Sequence, residues 1–505
     1  MTENRATVHL QADPLTGPRV DAVQRQETPF ELVVLGDFSG RGSRGEIRSS
    51  LADVRSVRVD RDDFDTLLAR LAPRIQLSLD GDSPPFEIEL RELDDFHPDG
   101  LFDRAPLFGE LRRLRSRARD PGELRAVAAE LGIGAALPPE SDPPAARAAA
   151  GGGGVLDQIL EQAQPDAKAV PTLPDLTRSS LNSVVRQVVA PYLVPGPDPR
   201  QAELIAAIDS AVGAAMRMLL HHPAFQEVEA LWRALYLLVR RVETGPLLHV
   251  RMVDIARAEL GADLSGEGST AGLMRHILRR DDVAGAEVTP SLLVAAYPFG
   301  ADAGDLALFG SLAALGRDLG SPWLVSGEPE LLGAPDLESL AEPERWGNMA
   351  NGWEELRNHP AARYLGVALP RFLLRLPYGE DDDECERFSF EELSSPPRRE
   401  EYLWGSPALA CATLLGQNFA ANGWEMRPGT TRDLDGLPHH VRRVDGEVEA
   451  LPSAEVWLTE NAAERMLDAG VMPLASLRDR NAARVVRFQS VAAPLAPLAG
   501  RWTSA

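Results

Sequence analysis

Few residues in this sequence could carry out enzymatic chemistry, and their spacing does not fit any of the common mechanisms. Among the 52 basic residues Lys168 is the only lysine, in the context Gln-Pro-Asp-Ala-Lys-Ala-Val-Pro, which is neither a phosphate-binding loop nor a pyridoxal site. The two cysteines, Cys385 and Cys411, are too few for a zinc or iron–sulfur cluster. No Gly-x-Ser-x-Gly nucleophile elbow is present. We therefore expect no catalytic residue, no metal and no cofactor.

Histidine pairs and one acidic run are the remaining candidates for chemistry. His221-His222 and His439-His440 are adjacent in sequence, and neighbouring side chains on a helix point about 100° apart, which disfavours a shared metal. The acidic run 380–384 lacks the spaced oxygen ligands and the central glycine of a calcium loop, so we expect a solvated loop. The alternative is an acid-dependent hydrolase that uses carboxylates between residues 380 and 392, which predicts a concave pocket with converging acids.

The overall charge indicates protein partners. A formal net charge of −24 gives a field that repels phosphate backbones and anionic headgroups, so nucleic acid and membrane surfaces are disfavoured. The amino terminus lacks the apolar core of a signal peptide, and no apolar run reaches the ~20 residues that span a bilayer. Together with the low cysteine content, this predicts a cytoplasmic protein without membrane insertion.

Hydrophobic periodicity predicts an α/β protein with layered, mixed sheets and one long helical segment. The predicted strands are residues 30–35, 54–59, 75–79, 86–90, 247–252, 291–296 and 323–325. The predicted helices are residues 60–71, 107–114, 201–242 and 306–319, with Pro223 interrupting the third.

A change in composition divides the chain into two parts. Residues 135–154 are rich in proline, alanine and glycine, which is typical of a flexible linker. We therefore predict an α/β domain at 1–134, a linker at 135–154, a short amphipathic helix and connector at 155–200, and a second α/β domain at 201–505.

Four motifs characterise the first part. They are Phe-Glu-Leu-Val-Val-Leu-Gly-Asp-Phe-Ser-Gly-Arg at 30–41, Val-Arg-Val-Asp at 57–60, Asp-Phe-Asp at 63–65 and Leu-Asp-Asp-Phe-His-Pro-Asp at 93–99. In these motifs the first part, over about residues 28–120, resembles the small subunit of the contractile sheath of bacterial type VI secretion systems (TssB, or VipA-like).

Seven blocks characterise the second part. They are His-His-Pro-Ala-Phe-Gln-Glu-Val-Glu-Ala-Leu-Trp at 221–232, Tyr-Leu-Gly-Val-Ala-Leu-Pro-Arg-Phe-Leu-Leu-Arg-Leu-Pro-Tyr at 364–378, Phe-Ser-Phe-Glu-Glu at 388–392, Tyr-Leu-Trp-Gly at 402–405, Asn-Phe-Ala-Ala-Asn-Gly-Trp at 418–424, Pro-Ser-Ala-Glu-Val at 452–456 and Gly-Val-Met-Pro-Leu at 470–474. In these blocks, which follow the family's order, the second part resembles the large sheath subunit (TssC, or VipB-like). The chain thus resembles a fusion of the two subunits, which fixes their stoichiometry at one to one.

The resemblance implies a structural subunit that forms a homo-oligomer around an inner tube and drives protein secretion by contraction. Its partners would be further copies, the tube protein, baseplate components and an AAA+ disassembly ATPase. The element that such an ATPase recognises in the family resembles the stretch around Leu156, Ile159 and Leu160. The candidate assembly or family-motif residues are Asp37, Phe38, Phe225, Glu229, Trp232, Pro370, Arg371, Arg375, Pro377, Tyr378, Trp404, Gly423 and Trp424.

Several of these residues have two possible roles. Arg371 and Arg375 lie four residues apart, and each would pair with an acid either between protomers or within the domain. The tryptophans Trp232, Trp404 and Trp424 would serve either as interface anchors or, as we favour, as core residues.

The resemblance also predicts a large-subunit part that is shortened. The sequence ends soon after residues 488–494, where family members continue with a helical segment and a strand that joins a sheet shared between protomers. The alternative function is therefore a sheath-derived cap, baseplate adaptor or regulator that does not contract.

Overall fold

The structure, a computed structural model, describes residues 28–48, 50–79, 84–120, 123–131, 200–265, 276–278, 280–281, 287–444, 447–478 and 480–502. The predicted linker at 135–154 and the predicted helix with Leu156, Ile159 and Leu160 lie outside these ranges.

Strands and helices alternate along the second half of the described chain. The strands are β1 Phe30–Gly36, β2 Val57–Val59, β3 Arg74–Leu77, β4 Phe86–Glu89, β5 Leu248–Asp254, β6 Arg280–Asp281, β7 Glu287–Val288, β8 Leu292–Phe299, β9 Trp323–Gly327, β10 Leu365–Leu369, β11 Phe372–Leu373, β12 Trp404–Gly405, β13 Asp433–Asp435, β14 Val441–Val444, β15 Glu447–Ala450, β16 Val471–Ser476 and β17 Ala482–Val485. The α-helices are α1 Phe64–Leu71, α2 Pro98–Arg104, α3 Gly109–Ala118, α4 Leu124–Glu130, α5 Arg200–Leu220, α6 Pro223–Arg241, α7 Arg257–Ser265, α8 Ala303–Leu319, α9 Trp353–Asn358, α10 Pro407–Asn422 and α11 Glu460–Asp468.

The main sheet has nine strands in the order β13-β17-β16-β10-β9-β8-β1-β5-β2. The strands from β16 to β5 run parallel to their neighbours, and antiparallel strands β2, β17 and β13 complete the two edges. β1 lies in the interior of the sheet, and every residue of Phe30–Gly36 is buried. This burial explains why its sequence is a nearly continuous apolar run, as expected for a strand that is covered on both faces.

Two apolar clusters cover the faces of this sheet. Leu32 and Val34 of β1 belong to one cluster, whereas Val33 and Leu35 belong to the other, because successive side chains of a strand point to opposite faces. Helices α5, α6 and α10 supply the first cluster, and α8 and α9 supply the second. The result is the layered mixed α/β architecture that the sequence predicts.

The long helical segment breaks at Pro223, as its sequence predicts. His222 precedes α6 as its N-cap, and its Nδ1 atom accepts a hydrogen bond from the Ala224 N–H at 3.2 Å. Within the described ranges no single helix is long and apolar enough to cross a membrane; only Gln201–Leu220 and Pro223–Arg241 together pass that test, as a pair bent by 69°.

The strands of the first part do not all lie in one sheet. β3 pairs with β4 in a two-stranded sheet, but β1 and β2 join the nine-stranded sheet beside strands of the second part. The two parts therefore share one sheet, which the sequence patterns did not predict. The domain boundaries at 134, 154 and 200 stay predictions.

Candidate functional site

A buried network of charges joins three of the predicted residues, Glu229, Arg375 and Tyr378. Arg375 Nε donates to Glu229 Oε1 at 2.8 Å, and its two terminal nitrogens donate to the carboxylate of Glu392 at 2.7 and 2.9 Å. Arg233 donates to the same Glu229 oxygen at 2.7 Å and to the Tyr378 hydroxyl at 3.0 Å. Two carboxylates thus face two guanidinium groups inside the protein, which is the arrangement that buried charges need.

The network stabilises the ionised form of Glu392. Burial opposes its ionisation, but the charge of Arg375, the His221 ring at 3.7 Å, and the hydrogen bonds from Arg375 and the Tyr378 N–H together lower the pKa of Glu392 to about 2. Burial raises the pKa of Tyr378, so its hydroxyl stays protonated at neutral pH. Because its two guanidinium groups and two carboxylates come from separate segments, a cluster of this kind fixes the positions of those segments relative to each other.

Two local features of the sequence build this network. Glu229 and Arg233 lie four residues apart on α6, so their side chains occupy one face of the helix. Arg375 and Tyr378 follow β11 in an irregular segment, and the Arg375 guanidinium carbon lies 4.1 Å from the centroid of the Tyr378 ring.

The irregular segment from Tyr378 to Phe388 contacts helix α2 of the first part and the residue that precedes it. The His97 ring meets the Tyr378 ring edge-on at 4.8 Å, and the Asp99 carboxylate accepts hydrogen bonds from the N–H groups of Glu386 and Arg387 at 2.9 and 3.0 Å. Phe102 packs against Phe388 with ring centroids 5.1 Å apart. The ionic network therefore adjoins the contact between the two parts of the chain, because Tyr378 belongs to both.

Asp37 and Phe38 have structural roles at the end of β1. The Asp37 carboxylate accepts hydrogen bonds from the N–H groups of Arg41 and Gly42 at 3.0 and 2.6 Å, and burial raises its pKa. Arg41 pairs with Asp254 at 2.9 Å and with Glu259 at 2.7 Å. These contacts fix the turn that follows β1 against β5 and α7.

The tryptophans differ in burial. Trp232 is fully buried, donates a hydrogen bond to the Phe38 carbonyl at 2.9 Å and packs edge-on against Phe38. Trp404 is also buried and donates to the Arg399 carbonyl at 2.9 Å. Both are core residues. Trp424 is only partly buried; its indole donates to the Thr28 carbonyl at 2.6 Å.

The remaining predicted residues lie apart from the network or beside it. Arg371, whose side chain is 47% exposed, pairs with Glu455 at 2.6 Å within the same chain. Phe225 is buried against Phe96 of the first part, with ring centroids 5.7 Å apart. Gly423 ends α10 with a positive φ of 56°, which favours glycine. Pro370 and Pro377 are both buried.

The acidic run at 380–384 does not build a catalytic pocket. All five residues are exposed, whereas Glu392 is buried and paired with Arg375, so the acids between 380 and 392 do not converge. Among the residues that the structure describes, no group of three or more His, Cys, Asp or Glu side chains could hold a metal ion. The geometry gives the hydrolase alternative no support.

Several members of these contacts were not among the candidate residues, and the signal that could have found them differs. Arg233 could have been found from its i, i+4 spacing to Glu229 on a predicted helix. Asp254 and Glu259, the partners of Arg41, carry no local signal, because more than 200 residues separate them from Arg41.

Comparison with known families defines the class of protein. Residues 3–124 match the family model described as type VI secretion system, VipA, VC_A0107 or Hcp2. Residues 202–492, more than half of the chain, match the model described as EvpB/VC_A0108, tail sheath N-terminal domain (VipB). The chain belongs to the tail sheath family and joins a VipA-type region and a VipB-type region in one polypeptide, which confirms the resemblance.

The chain is also similar to a relative of known name and, weakly, to a solved structure. The type VI secretion system sheath protein TssC1 of Pseudomonas aeruginosa is 28% identical over 304 residues, covering 58% of this chain, and the chain spans 61% of the length of that relative. The cryo-EM structure of the anti-feeding prophage baseplate, 6-fold symmetrised, aligns over 51% of this chain and 49% of that one at 15% identity, with a TM-score of 0.28 that is too low to support an argument.

Proposed function

We propose that this protein is a structural subunit of the contractile sheath of a type VI secretion system, in which one chain supplies both sheath subunits. The observation that supports this most strongly is that VipA-type and VipB-type regions occur together in one chain. The shared nine-stranded sheet agrees with it, because the two regions then form one assembly unit.

The proposed role is mechanical. Copies of the chain would assemble around an inner tube, and a change in their contacts would drive the tube outward to secrete protein. This role needs no catalytic residue and no cofactor, and it takes place in the cytoplasm. Further proposed partners are baseplate components and an AAA+ disassembly ATPase that recognises the stretch with Leu156, Ile159 and Leu160.

The candidate residues divide by exposure. Glu229, Trp232, Tyr378 and Trp404 are buried within the chain and would act by fixing the subunit's shape. Arg371 is exposed, so it is the candidate best placed to contact a neighbouring copy.

Electron microscopy of the chain, purified alone and co-expressed with the tube protein of its own secretion system, tests this function. Tubes in the presence of the tube protein would support a contractile sheath, and rings or short capped stacks would favour a cap or adaptor. Monodisperse monomers in both preparations would contradict assembly. Deletion of residues 155–162 should leave assembly intact and abolish disassembly by the ATPase with ATP.

A further inference from the structure

One five-residue sequence occurs twice in the chain. Residues 350–354 and residues 421–425 both read Ala-Asn-Gly-Trp-Glu, and they contain the only two Asn-Gly pairs of the sequence. An asparagine that precedes glycine readily loses its side-chain amide, because glycine has no Cβ to shield its backbone nitrogen from the asparagine side chain. Since the two pentapeptides are identical, a difference in reactivity between Asn351 and Asn422 has to come from the folded structure.

Hydrogen bonds hold the reacting groups of the second pentapeptide. Asn422 is exposed at the end of α10, and its side-chain nitrogen donates to the main-chain and side-chain oxygens of Asn418 at 3.1 and 2.8 Å. The Gly423 N–H donates to the Phe419 carbonyl as part of the helix C-cap. Attack of the Gly423 nitrogen on the Asn422 side chain needs these hydrogen bonds to break, so they raise the barrier to the reaction.

The first pentapeptide has no such hydrogen bonds at its reacting groups. Asn351 is also exposed, and it precedes Gly352, the N-cap of α9. Within the ranges that the structure describes, no group accepts a hydrogen bond from the Gly352 N–H, and the Asn351 side chain forms none. The hydrogen bonds lie on either side: the Ala350 N–H donates to the Leu331 carbonyl at 3.1 Å, and the Trp353 N–H donates to the Ala350 carbonyl at 3.0 Å.

We propose that Asn351 is a site of spontaneous deamidation in the folded protein, whereas Asn422 is protected. The Gly352 nitrogen gives its proton to a solvent base and attacks Cγ of Asn351. The new N–Cγ bond closes a five-membered imide, and the Cγ–Nδ2 bond breaks as the side-chain nitrogen takes up a proton and leaves as ammonia. Water then opens the imide. Opening at Cγ gives aspartate, and opening at the main-chain carbonyl carbon gives isoaspartate, in which the main chain runs through Cβ.

Both products change the turn that precedes α9. Each replaces a neutral amide by a carboxylate, and isoaspartate also lengthens the main chain by one methylene group before Gly352. That methylene lies inside the turn that the Trp353 N–H and the Ala350 carbonyl close. The isoaspartyl form should therefore lose this hydrogen bond, which joins the start of α9 to the residue that contacts Leu331.

Ageing of the full-length chain tests the proposal. The folded protein is incubated at mildly alkaline pH in water enriched in 18O and digested in ordinary water, so that deamidation during digestion carries no label. Mass spectrometry with electron-transfer fragmentation then distinguishes isoaspartate from aspartate. Asn351 should convert at least about tenfold faster than Asn422, because the three hydrogen bonds at the second pentapeptide resist the attack. Isoaspartate should be among the labelled products at position 351.

Two controls separate the fold from the local sequence. In the chain unfolded by guanidinium chloride, the two asparagines should react at similar rates, because only the shared pentapeptide then acts on them. N351Q is the matched variant, since attack on the longer side chain would have to close a six-membered ring, which forms more slowly. It should remove the reaction at position 351 and leave the rate at Asn422 unchanged.

The same measurements can overturn the proposal. Equal rates at the two asparagines of the folded chain, or a faster reaction at Asn422, would contradict it. Aspartate without isoaspartate at position 351 would indicate direct hydrolysis of the side-chain amide instead of attack by Gly352. A rate difference that persists in the unfolded chain would show that the hydrogen bonds of the fold do not protect Asn422.

Discussion

Arg375 and Glu392 form a bidentate ion pair inside the protein, in which both terminal nitrogens of the arginine donate to the carboxylate at 2.7 and 2.9 Å. The side chain of Glu392 is 1% exposed and that of Arg375 is 9% exposed. Because Arg375 also donates to Glu229, it is the cation on which two buried acids depend. The family-motif blocks at 221–232, 364–378 and 388–392 are joined through this one side chain.

Replacing Arg375 by methionine should strongly destabilise the protein. The change keeps much of the side-chain volume but leaves the buried carboxylate of Glu392 without its main partner and that of Glu229 with Arg233 as its remaining cation, which costs about 3–5 kcal/mol in the free energy of unfolding. Urea unfolding followed by circular dichroism measures the cost. R113M is the matched control, because Arg113 is 66% exposed and pairs with Glu110 on its own helix, and it should change stability by less than about 0.5 kcal/mol. Equal effects of the two changes would contradict the assigned role of Arg375.

The stability of the protein should depend on the ionisation of Glu392 at acid pH. Its pKa is about 2 in the folded protein against an ordinary value of 4.5, so the native state binds fewer protons than the unfolded state between these values. The stabilisation is therefore complete above pH 4.5 and is lost as the pH falls towards 2, by about 3 kcal/mol in total. Unfolding midpoints measured from pH 7 to pH 2.5 test this.

The variant E392Q isolates that contribution. It should be less stable than the wild type at pH 7, and the difference between the two should narrow as the pH falls below 4.5, since protonation removes the charge from the wild-type side chain as well. E380Q, at an exposed position, controls for the substitution itself and should unfold like the wild type at pH 7. A difference in unfolding free energy between E392Q and the wild type that stays constant with pH would show that ionised Glu392 does not stabilise the protein.

The Asp99 carboxylate should slow hydrogen exchange at two backbone amides of the second part of the chain. Its carboxylate accepts the N–H groups of Glu386 and Arg387, so D99A removes the acceptor for both. We expect hydrogen exchange of these two amides to rise at least tenfold, while exchange in β1 stays slow because that strand is held by the sheet. D103A is the control, because Asp103 contacts the Arg387 side chain rather than these amides. Unchanged exchange in D99A would show that the contact does not hold this segment.

Two helical glycines should respond to alanine in opposite directions. A Cβ on Gly316 of α8 would lie 2.8 Å from the Ser321 carbonyl oxygen and 2.9 Å from the Trp323 ring, so G316A should cost about 1–3 kcal/mol. A Cβ on Gly261 of α7 meets no atom within 4 Å, so G261A should stabilise the protein by about 0.5–1 kcal/mol. Thermal unfolding of the two variants compares them directly, and destabilisation by G261A would contradict the packing around α7.

The sequence by itself determined several of the elements and the family. The apolar run at 30–35, the alternation at 75–79 and 86–90 and the interruption at Pro223 predict β1, β3, β4 and the break between α5 and α6, because strand burial and helix periodicity leave local patterns. The motif blocks similarly predict membership of the tail sheath family.

Only the tertiary structure decided which residues meet. The insertion of β1 between β8 and β5, the partners of Arg41, and the pairing of Arg115 with Asp209 join residues that are tens to hundreds of positions apart. Arg371 and Arg375 look alike in sequence, yet Arg371 is about half exposed and pairs with Glu455, whereas Arg375 is buried between Glu229 and Glu392. The physical reason is that the contribution of a charge to stability depends on its burial and its partners. Both are set by the packing of distant segments rather than by spacing along the chain.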